Sequence, residues 1–190
     1  LTSTRVKHLL NNLCNTDDSR YLEVGSYLGA TVLSAIDNNS CKAIAIDNWS
    51  TSQIRPMKDT GEAELIINAK EQFYKNIKGK DITVIDKDIK DVDMLPFKIN
   101  TFFYDGDHTS LSPVIAFENL NTYFDDEFIV IMDDFNWKNV QYSIQQLSQV
   151  YDISHHHEIM TSGEDENDFW NGLFIGVFKK KIITTLGMYN

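Results

Sequence analysis

Carboxylate side chains recur at the ends of the short apolar runs in this sequence. Each run is typical of a buried strand, and the acids that close the runs are Glu23, Asp47, Asp86, Asp88, Asp105, Asp107, Asp133 and Asp134. Because the carboxyl ends of parallel strands meet at one edge of a sheet, we expect these acids to lie along the same edge. Like charges repel each other at short range, so this edge would favour a cationic organic ligand or a metal ion.

A glycine turn follows the first apolar run. Gly25 can adopt backbone angles that other residues avoid, and Gly29 allows a helix and a strand to approach closely. Such a turn brings backbone N–H groups to the sheet edge where open α/β folds bind ligands. Its spacing, E-x-G-x-x-x-G from Glu23, differs from the G-x-G-x-x-G of dinucleotide folds. A strand-to-helix turn without a ligand is the structural alternative.

Asp47 closes the second apolar run, about 20 residues beyond the glycine turn. Its two carboxylate oxygens suit the vicinal hydroxyls of a ribose, although a helix cap or a loop aspartate is the alternative. Trp49 follows closely, either to cover an adenine ring or to fill the edge of the core. The polar stretch 51–61 is long for a loop in a compact domain, and such loops are often functional lids.

Hydrophobic periodicity predicts an α/β fold in which strands and helices alternate five times before a terminal antiparallel hairpin. The predicted strands are 20–24, 42–46, 82–85, 99–104, 128–132, 153–160 and 171–178, and the predicted helices are 4–13, 30–36, 63–77, 111–124 and 137–150. Alternation favours a parallel sheet with helices on both faces. We expect a single domain over residues 1–190.

Composition narrows the functional classes. The net charge of −11 opposes binding to nucleic acid, whose phosphates are neutralised by Lys and Arg, so no nucleic-acid partner is expected. No apolar run reaches the roughly 18 residues of a membrane span, so no membrane partner is expected either. Two cysteines without a C-x-x-C pattern fit a reducing, cytoplasmic location. The state of assembly stays open, with a homodimer as one option.

Glu23, Gly25 and Gly29, together with Asp47 and the terminal hairpin, resemble the class I S-adenosylmethionine (SAM) dependent methyltransferases. The resemblance implies a Rossmann-like, seven-stranded, mostly parallel sheet whose last strand is antiparallel. It also implies SAM as cofactor. The residues expected to bind SAM are Glu23, Gly25, Ser26, Tyr27, Gly29, Asp47, Asn48, Trp49, Asp88 and Asp105.

Asp105-Gly106-Asp107-His108, followed by Asp133-Asp134, resembles the metal-dependent O-methyltransferases of the catechol and sugar type. That resemblance implies Mg²⁺ held by Asp105, Asp133 and Asp134. The alternative for the acid pair is a helix cap with a solvated neighbour. Asp105 and His108 are the expected catalytic residues. Histidine suits proton removal at neutral pH, whereas a capping or hydrogen-bonding role is the alternative for His108.

The resulting expectation is SAM-dependent O-methylation of a small hydroxylated metabolite or sugar, assisted by Mg²⁺. A metal-free methyltransferase with His108 as base and a non-catalytic SAM-binding domain remain open. A dehydrogenase is opposed by the glycine spacing. The run His155-His156-His157 is not expected to bind one metal ion, because neighbouring residues on a strand point to opposite faces.

Overall fold

The computed structural model describes residues 2–50, 68–109, 111–163 and 167–181. The described helices are α1 (Thr4–Leu13), α2 (Ala30–Ile36), α3 (Ala69–Asn76), α4 (Ser112–Leu120) and α5 (Lys138–Val150), with a 3₁₀ turn at Ile89–Asp91. The described strands are β1 (Arg20–Val24), β2 (Lys42–Asp47), β3 (Ile82–Asp86), β4 (Ile99–Tyr104), β5 (Phe124–Asp133), β6 (Tyr151–Ile159) and β7 (Leu173–Lys180). The predicted lid, 51–61, lies outside these residues.

Seven strands form one sheet in the order β3-β2-β1-β4-β5-β7-β6. The first five are parallel to their neighbours, and β7 is antiparallel to both β5 and β6. The chain order reverses between β1 and β4, so the carboxyl ends of these two strands flank a crevice of the kind that binds ligands in open α/β sheets. The predicted Rossmann-like sheet with its terminal hairpin is confirmed.

Each face of the sheet carries its own hydrophobic core, because side chains alternate along a strand. Leu22 and Val24 of β1 belong to the core under α4 and α5, whereas Tyr21 belongs to the core under α1, α2 and α3. Helix α1 shows how the sequence builds such a layer. Val6 and Leu10 are fully buried, and the Ser3 hydroxyl accepts a hydrogen bond from the Val6 N–H at 3.2 Å.

Strand β5 is longer than its apolar pattern predicts. It begins at Phe124 rather than 128 and includes three acidic residues at 125–127, of which Asp125 accepts a hydrogen bond from the Arg20 guanidinium at 2.6 Å. The pairing with β4 shifts register between Ile99 and Thr101, which absorbs the additional residues. On the other edge of this polar segment, Glu127 pairs in register with Lys179 of β7. In the described part of the chain, no helix is long and apolar enough to cross a membrane.

Candidate cofactor cavity and acid–histidine cluster

The glycine turn after β1 is packed directly against the end of β4. Gly25 has φ of +92°, and its N–H donates to the Ile46 carbonyl at 2.9 Å. A Cβ atom at Gly25 would lie 2.0 Å from the backbone oxygen of Asp105, which is far inside van der Waals contact. Glycine is therefore required here both for its backbone angles and for the close approach of two chain segments.

The second glycine of the turn sets the start of α2. Gly29 has φ of +82° and precedes the first helical residue, and its N–H donates to the Ser26 carbonyl at 2.7 Å. A Cβ atom there would lie 3.0 Å from the Phe73 ring, so Gly29 lets α3 pack close to α2. Between the glycines, Tyr27 also has a positive φ, of 48°. Such backbone angles are uncommon for an aromatic residue and often accompany functional sites.

Asp47 organises the loop that follows β2. One carboxylate oxygen accepts from the Tyr27 N–H and the other from the Trp49 N–H, each at 2.7 Å. Burial raises the pKa of Asp47, and these N–H groups counter that effect. Trp49 has φ of 44°, donates its indole N–H to the Tyr27 carbonyl, and lies 5.0 Å from the Phe73 ring centroid. Asp47 thereby joins the turn after β1 to the turn after β2.

A cavity of about 250 Å³ lies at the carboxyl ends of β1, β2, β3 and β4. Six of the predicted cofactor residues besides Gly25 line it: Tyr27, Asp47, Asn48, Trp49, Asp88 and Asp105. Glu23, Ser26 and Gly29 are not part of its lining. The cavity is lined also by Lys87, Tyr104 and Ser112, which the sequence analysis did not select. No motif marks these three, because they reach the cavity only through the packing of β3, β4 and α4.

Glu23 is buried beneath the cavity rather than in its wall. Its side chain has no exposed surface and accepts a hydrogen bond from the Tyr21 hydroxyl at 2.8 Å. Burial raises the pKa of Glu23 to about 7, while the hydroxyls of Ser26, Thr31 and Tyr21 partly offset this effect. Glu23 therefore contacts residues of the glycine turn from the core side instead of facing the cavity.

The far side of the cavity carries a polar pair. Asn48 donates to one carboxylate oxygen of Asp88 at 3.1 Å, and the Lys90 N–H donates to the other at 3.2 Å. Asp88 thus begins the 3₁₀ turn while one of its oxygens faces Asn48. Nearby, Lys70 forms an ion pair with Asp86 at the end of β3. Asp88 therefore lines the cavity and also lies 3.4 Å from Lys90 Nζ, whereas Asp86 pairs with Lys70 outside the cavity lining.

Next to the cavity, and sharing Asp105 with its lining, is what we call the acid–histidine cluster: Asp105, His108 and Asp134. Their ligand atoms all lie within 4.8 Å of one another. His108 Nδ1 is 3.3 Å from Asp134 Oδ2, and the His108 side chain is only 8% exposed. Burial raises the pKa of Asp105 well above its usual range, and repulsion from Asp133 adds to this effect. Burial also lowers the pKa of His108, although Asp134 opposes that shift.

The structure separates the two acids of the predicted metal pair. Asp133 is the last residue of β5, is 2% exposed, and accepts the Asp134 N–H at 3.0 Å on one oxygen. Asp134 has φ of 56°, which turns the chain towards His108. Only Asp134 of this pair belongs to the acid–histidine cluster among the described residues.

The loop that carries Asp134 is held by the connection between β6 and β7. The N–H groups of Phe135 and Asn136 donate to the carbonyls of Gly172 and Asn171, at 3.2 and 2.9 Å. A Cβ atom at Gly172 would lie 2.6 Å from Asn136 Oδ1, so the two segments are tightly packed. This contact explains why the terminal hairpin matters for the position of an acid after β5.

Asp107, the remaining acid of the Asp-Gly-Asp-His string, has a local structural role. Its carboxylate accepts hydrogen bonds from the Thr109 N–H at 3.0 Å and the Ser112 hydroxyl at 2.7 Å. Partial burial opposes ionisation, but these bonds prevail and lower the pKa of Asp107. Asp107 therefore orders the turn that leads into α4 and keeps His108 next to β5.

Comparison with solved structures identifies the fold. TrmK of M. capricolum, solved with its natural cofactor product S-adenosyl-homocysteine, is 14% identical with a TM-score of 0.57, over 94% of this chain and 68% of that chain. An rRNA methylase from Streptococcus thermophilus is 11% identical with a TM-score of 0.55, over 93% and 95%. The fibrillarin pre-rRNA processing protein of Methanococcus jannaschii is 13% identical with a TM-score of 0.57, over 88% and 70%. The chain therefore has the fold of class I SAM-dependent methyltransferases.

Sequence comparison adds one distant relative. An uncharacterized protein of Acanthamoeba polyphaga mimivirus is 32% identical over 140 residues, which cover 67% of this chain and 58% of that protein. The chain thus spans less than two thirds of the length of this relative. No family model matches the chain.

These comparisons correct one expectation from the sequence. The exclusion of nucleic acid as a partner is wrong, because proteins described as an rRNA methylase and a pre-rRNA processing protein share the fold over most of this chain. The exclusion rested on the net charge of −11. Net charge sums over the whole surface, whereas contact with nucleic acid depends on the local charges of one patch.

Proposed function

From this shared fold we propose that the chain is a SAM-dependent methyltransferase whose cofactor binds in the cavity at the ends of β1 to β4. The observation that carries the proposal is the position of Asp47. Its carboxylate lies in the cavity wall, and two backbone N–H groups fix its orientation. A carboxylate held in this way can still accept hydrogen bonds from two vicinal hydroxyls, because each oxygen has a second lone pair.

The other cofactor residues fall into two groups. Gly25, Tyr27, Asn48, Trp49, Asp88 and Asp105 line the cavity and are proposed to contact SAM directly. Glu23, Ser26 and Gly29 lie outside the lining, and we propose that they hold the glycine turn in place. For Glu23 this role follows from complete burial and from its bond to Tyr21.

When bound, SAM would supply a methyl group activated by the neighbouring sulfonium. The residues proposed to hold and deprotonate the acceptor are Asp105 and His108. Asp105 lines the cavity and also belongs to the acid–histidine cluster, so it connects the cofactor side with the acceptor side. The lowered pKa of His108, caused by burial, keeps its imidazole neutral at pH 7 and able to accept a proton.

The predicted Mg²⁺ fits the site in part. Asp105 and Asp134 lie together and could hold a divalent ion that lowers the pKa of an acceptor hydroxyl. Asp133 uses one oxygen to accept the Asp134 N–H and is almost completely buried. A metal-free reaction with His108 as base therefore stays as an alternative.

The acceptor we propose is a hydroxyl group. Two classes of molecule could carry it, and the transfer assay described below distinguishes them. A small hydroxylated metabolite or sugar follows from the sequence resemblance. The ribose hydroxyls of RNA offer the same chemistry, and the neighbours described as rRNA and pre-rRNA proteins favour that class.

The test begins with calorimetric titration of the purified chain with S-adenosylhomocysteine. We expect binding, which Asp47→Asn should weaken by at least ~10-fold, since hydrogen bonds to a charged group contribute about 1.5–3 kcal/mol. Transfer of labelled methyl from SAM is then measured on saccharides, small hydroxylated compounds and RNA. Absence of binding would remove the proposal, and binding without transfer to any acceptor would favour a non-catalytic SAM-binding domain.

A further inference from the structure

The acid–histidine cluster differs from an all-oxygen magnesium site in one ligand. The resemblance to metal-dependent O-methyltransferases implies three aspartate ligands, Asp105, Asp133 and Asp134. The structure instead groups Asp105 and Asp134 with the imidazole of His108. Asp133 is not part of this group in the described chain, and its Oδ1 accepts a hydrogen bond from the Asp134 N–H.

The spacing of the cluster suits ligands of one ion. His108 Nδ1 and Asp134 Oδ2 are 3.3 Å apart. A charge-assisted hydrogen bond between such groups would be about 2.7–2.9 Å long. Two ligand atoms that each lie about 2.0–2.2 Å from an ion, at octahedral or tetrahedral angles, are about 2.8–3.6 Å apart. The observed distance is therefore long for a hydrogen bond and typical of two ligands that share an ion.

His108 is buried and fixed in orientation beside the two acids. Its side chain is 8% exposed, and its ring is held from two sides, by Trp137 at 5.4 Å and by Tyr104 at 6.1 Å between centroids. Nδ1 is the nitrogen that faces Asp134, so it is the ring atom that would share an ion with the acids. A ring held in this position loses little conformational freedom when it binds an ion.

We infer that Asp105, His108 and Asp134 form a site for a divalent transition metal, such as Mn²⁺, Co²⁺ or Zn²⁺, in preference to Mg²⁺. Imidazole nitrogen is a good ligand for these ions, whereas Mg²⁺ takes oxygen ligands in near-ideal octahedral geometry. The two aspartates supply negative charge, and repulsion between them is relieved by a cation. The role of this ion in orienting an acceptor rests on the proposed function, but its binding does not.

This assignment also changes the role of His108. An imidazole that binds the ion through one nitrogen is a metal ligand, and the deprotonation of the acceptor then depends on the ion and on Asp105. His108 becomes a positioning residue for the acceptor in that case. Metal binding by His108 can therefore be tested on the protein without SAM or acceptor, independently of any proton transfer.

The experiment is a Co²⁺ titration of the full chain after removal of metals with a chelator. Visible absorption of bound Co²⁺ reports the ligand set, and calorimetry reports stoichiometry and affinity. We expect one ion per chain and no displacement by a hundredfold excess of Mg²⁺. His108→Ala should weaken Co²⁺ binding by more than ~10-fold, since even groups that only support a ligand matter by about 10–100-fold.

Two matched variants decide the assignment. Asp133→Asn keeps the side-chain shape and can still accept the Asp134 N–H, so it should leave Co²⁺ binding unchanged. A double variant, His155→Asn with His157→Asn, removes two imidazoles of the largely exposed strand β6 and should also have no effect. Circular dichroism confirms that each variant is folded.

Three outcomes would overturn the inference. These are displacement of Co²⁺ by Mg²⁺ at equal concentration, loss of binding in Asp133→Asn but not in His108→Ala, and loss of the bound ion in the β6 variant. Failure to bind any ion, together with normal binding of S-adenosylhomocysteine, would likewise reject the metal site. That last result would leave the methyltransferase proposal intact, so the two proposals fail separately.

Discussion

The cavity and the acid–histidine cluster both contain buried carboxylates, but the groups around these carboxylates have opposite effects on their pKa values. At Asp47 burial raises the pKa, and backbone N–H groups from Tyr27 and Trp49 offset the effect. At Asp105 burial raises the pKa too, but the next largest influence is repulsion from Asp133, which adds to it. The charge of Asp47 is thus stabilised by hydrogen bonds from the protein itself, whereas the repulsion between Asp105 and Asp133 would be relieved by a cation. Similar residue types at equivalent strand ends therefore imply different ligands.

The strongest way to disturb both regions is to change Gly25, where they meet. Gly25→Ala should lower the free energy of unfolding by more than ~3 kcal/mol, because its Cβ would press on the Asp105 backbone and its φ disfavours a side chain. Gly79→Ala is the matched control, since Gly79 has φ of +80° with nothing within 4 Å. It should cost only ~1–2 kcal/mol. Urea unfolding measures both, and equal losses would show that the close contact with Asp105 is unimportant.

A larger residue at Gly25, which lines the cavity, could act on SAM binding by a steric block or by unfolding the turn. In the structure the added side chain meets the backbone of Asp105 and Gly106 first. A Gly25→Val protein should therefore be poorly folded rather than folded and unable to bind SAM, which thermal unfolding distinguishes from a binding defect.

Glu23 links stability to pH from beneath the cavity. Its folded pKa of about 7 exceeds the ordinary value of 4.5, so the stability due to its buried neutral form is complete below pH 4.5. That stability is lost as the pH rises through 7, by at most ~3 kcal/mol. Glu23→Gln should make the decline between pH 5 and 8 in urea unfolding smaller by about this amount, while Asp133, whose pKa burial also raises to about 7, still contributes to the decline. The half-exposed Glu158 offers the control Glu158→Gln, which should keep the decline.

A pair of isosteric variants tests whether the two regions bind separate ligands. Asp47→Asn should weaken S-adenosylhomocysteine by at least ~10-fold and leave Co²⁺ binding unchanged, because one amide group cannot accept from both N–H donors. Asp134→Asn should do the reverse. Calorimetry with each ligand gives both numbers. Loss of both ligands in both variants would show one coupled site instead of two.

The smallest effect is expected at Asp88. Its side chain is 33% exposed, and an exposed polar contact contributes about 0.2–1 kcal/mol, so Asp88→Asn should weaken S-adenosylhomocysteine only a few-fold. Asp91→Asn, in the same 3₁₀ turn but outside the cavity lining, should have no effect. Equal effects of the two variants would indicate a general change in the turn rather than a contact of Asp88 with the ligand.

Local signals predicted most of the fold. The bounds of α1, β1, α2 and β4 agree with the periodicity, because each element is short, apolar at regular spacing and closed by polar or glycine residues. The start of β5 was missed because three acidic residues interrupt its pattern. One of those acids, Asp125, is paired in the sheet with Arg20, and a partner 105 positions away leaves no local signal.

The order of strands and helices, the glycine turn and the acids at the strand ends are readable from the sequence, since they depend on neighbours a few residues apart. The roles of those acids depend on tertiary packing. Glu23 and Asp133 are buried, Asp47 accepts the N–H group of another turn, and His108 lies next to Asp105 and Asp134. Orientation and partners depend on which segments pack together across the sheet, and that information is distributed over the whole chain rather than held in any one motif.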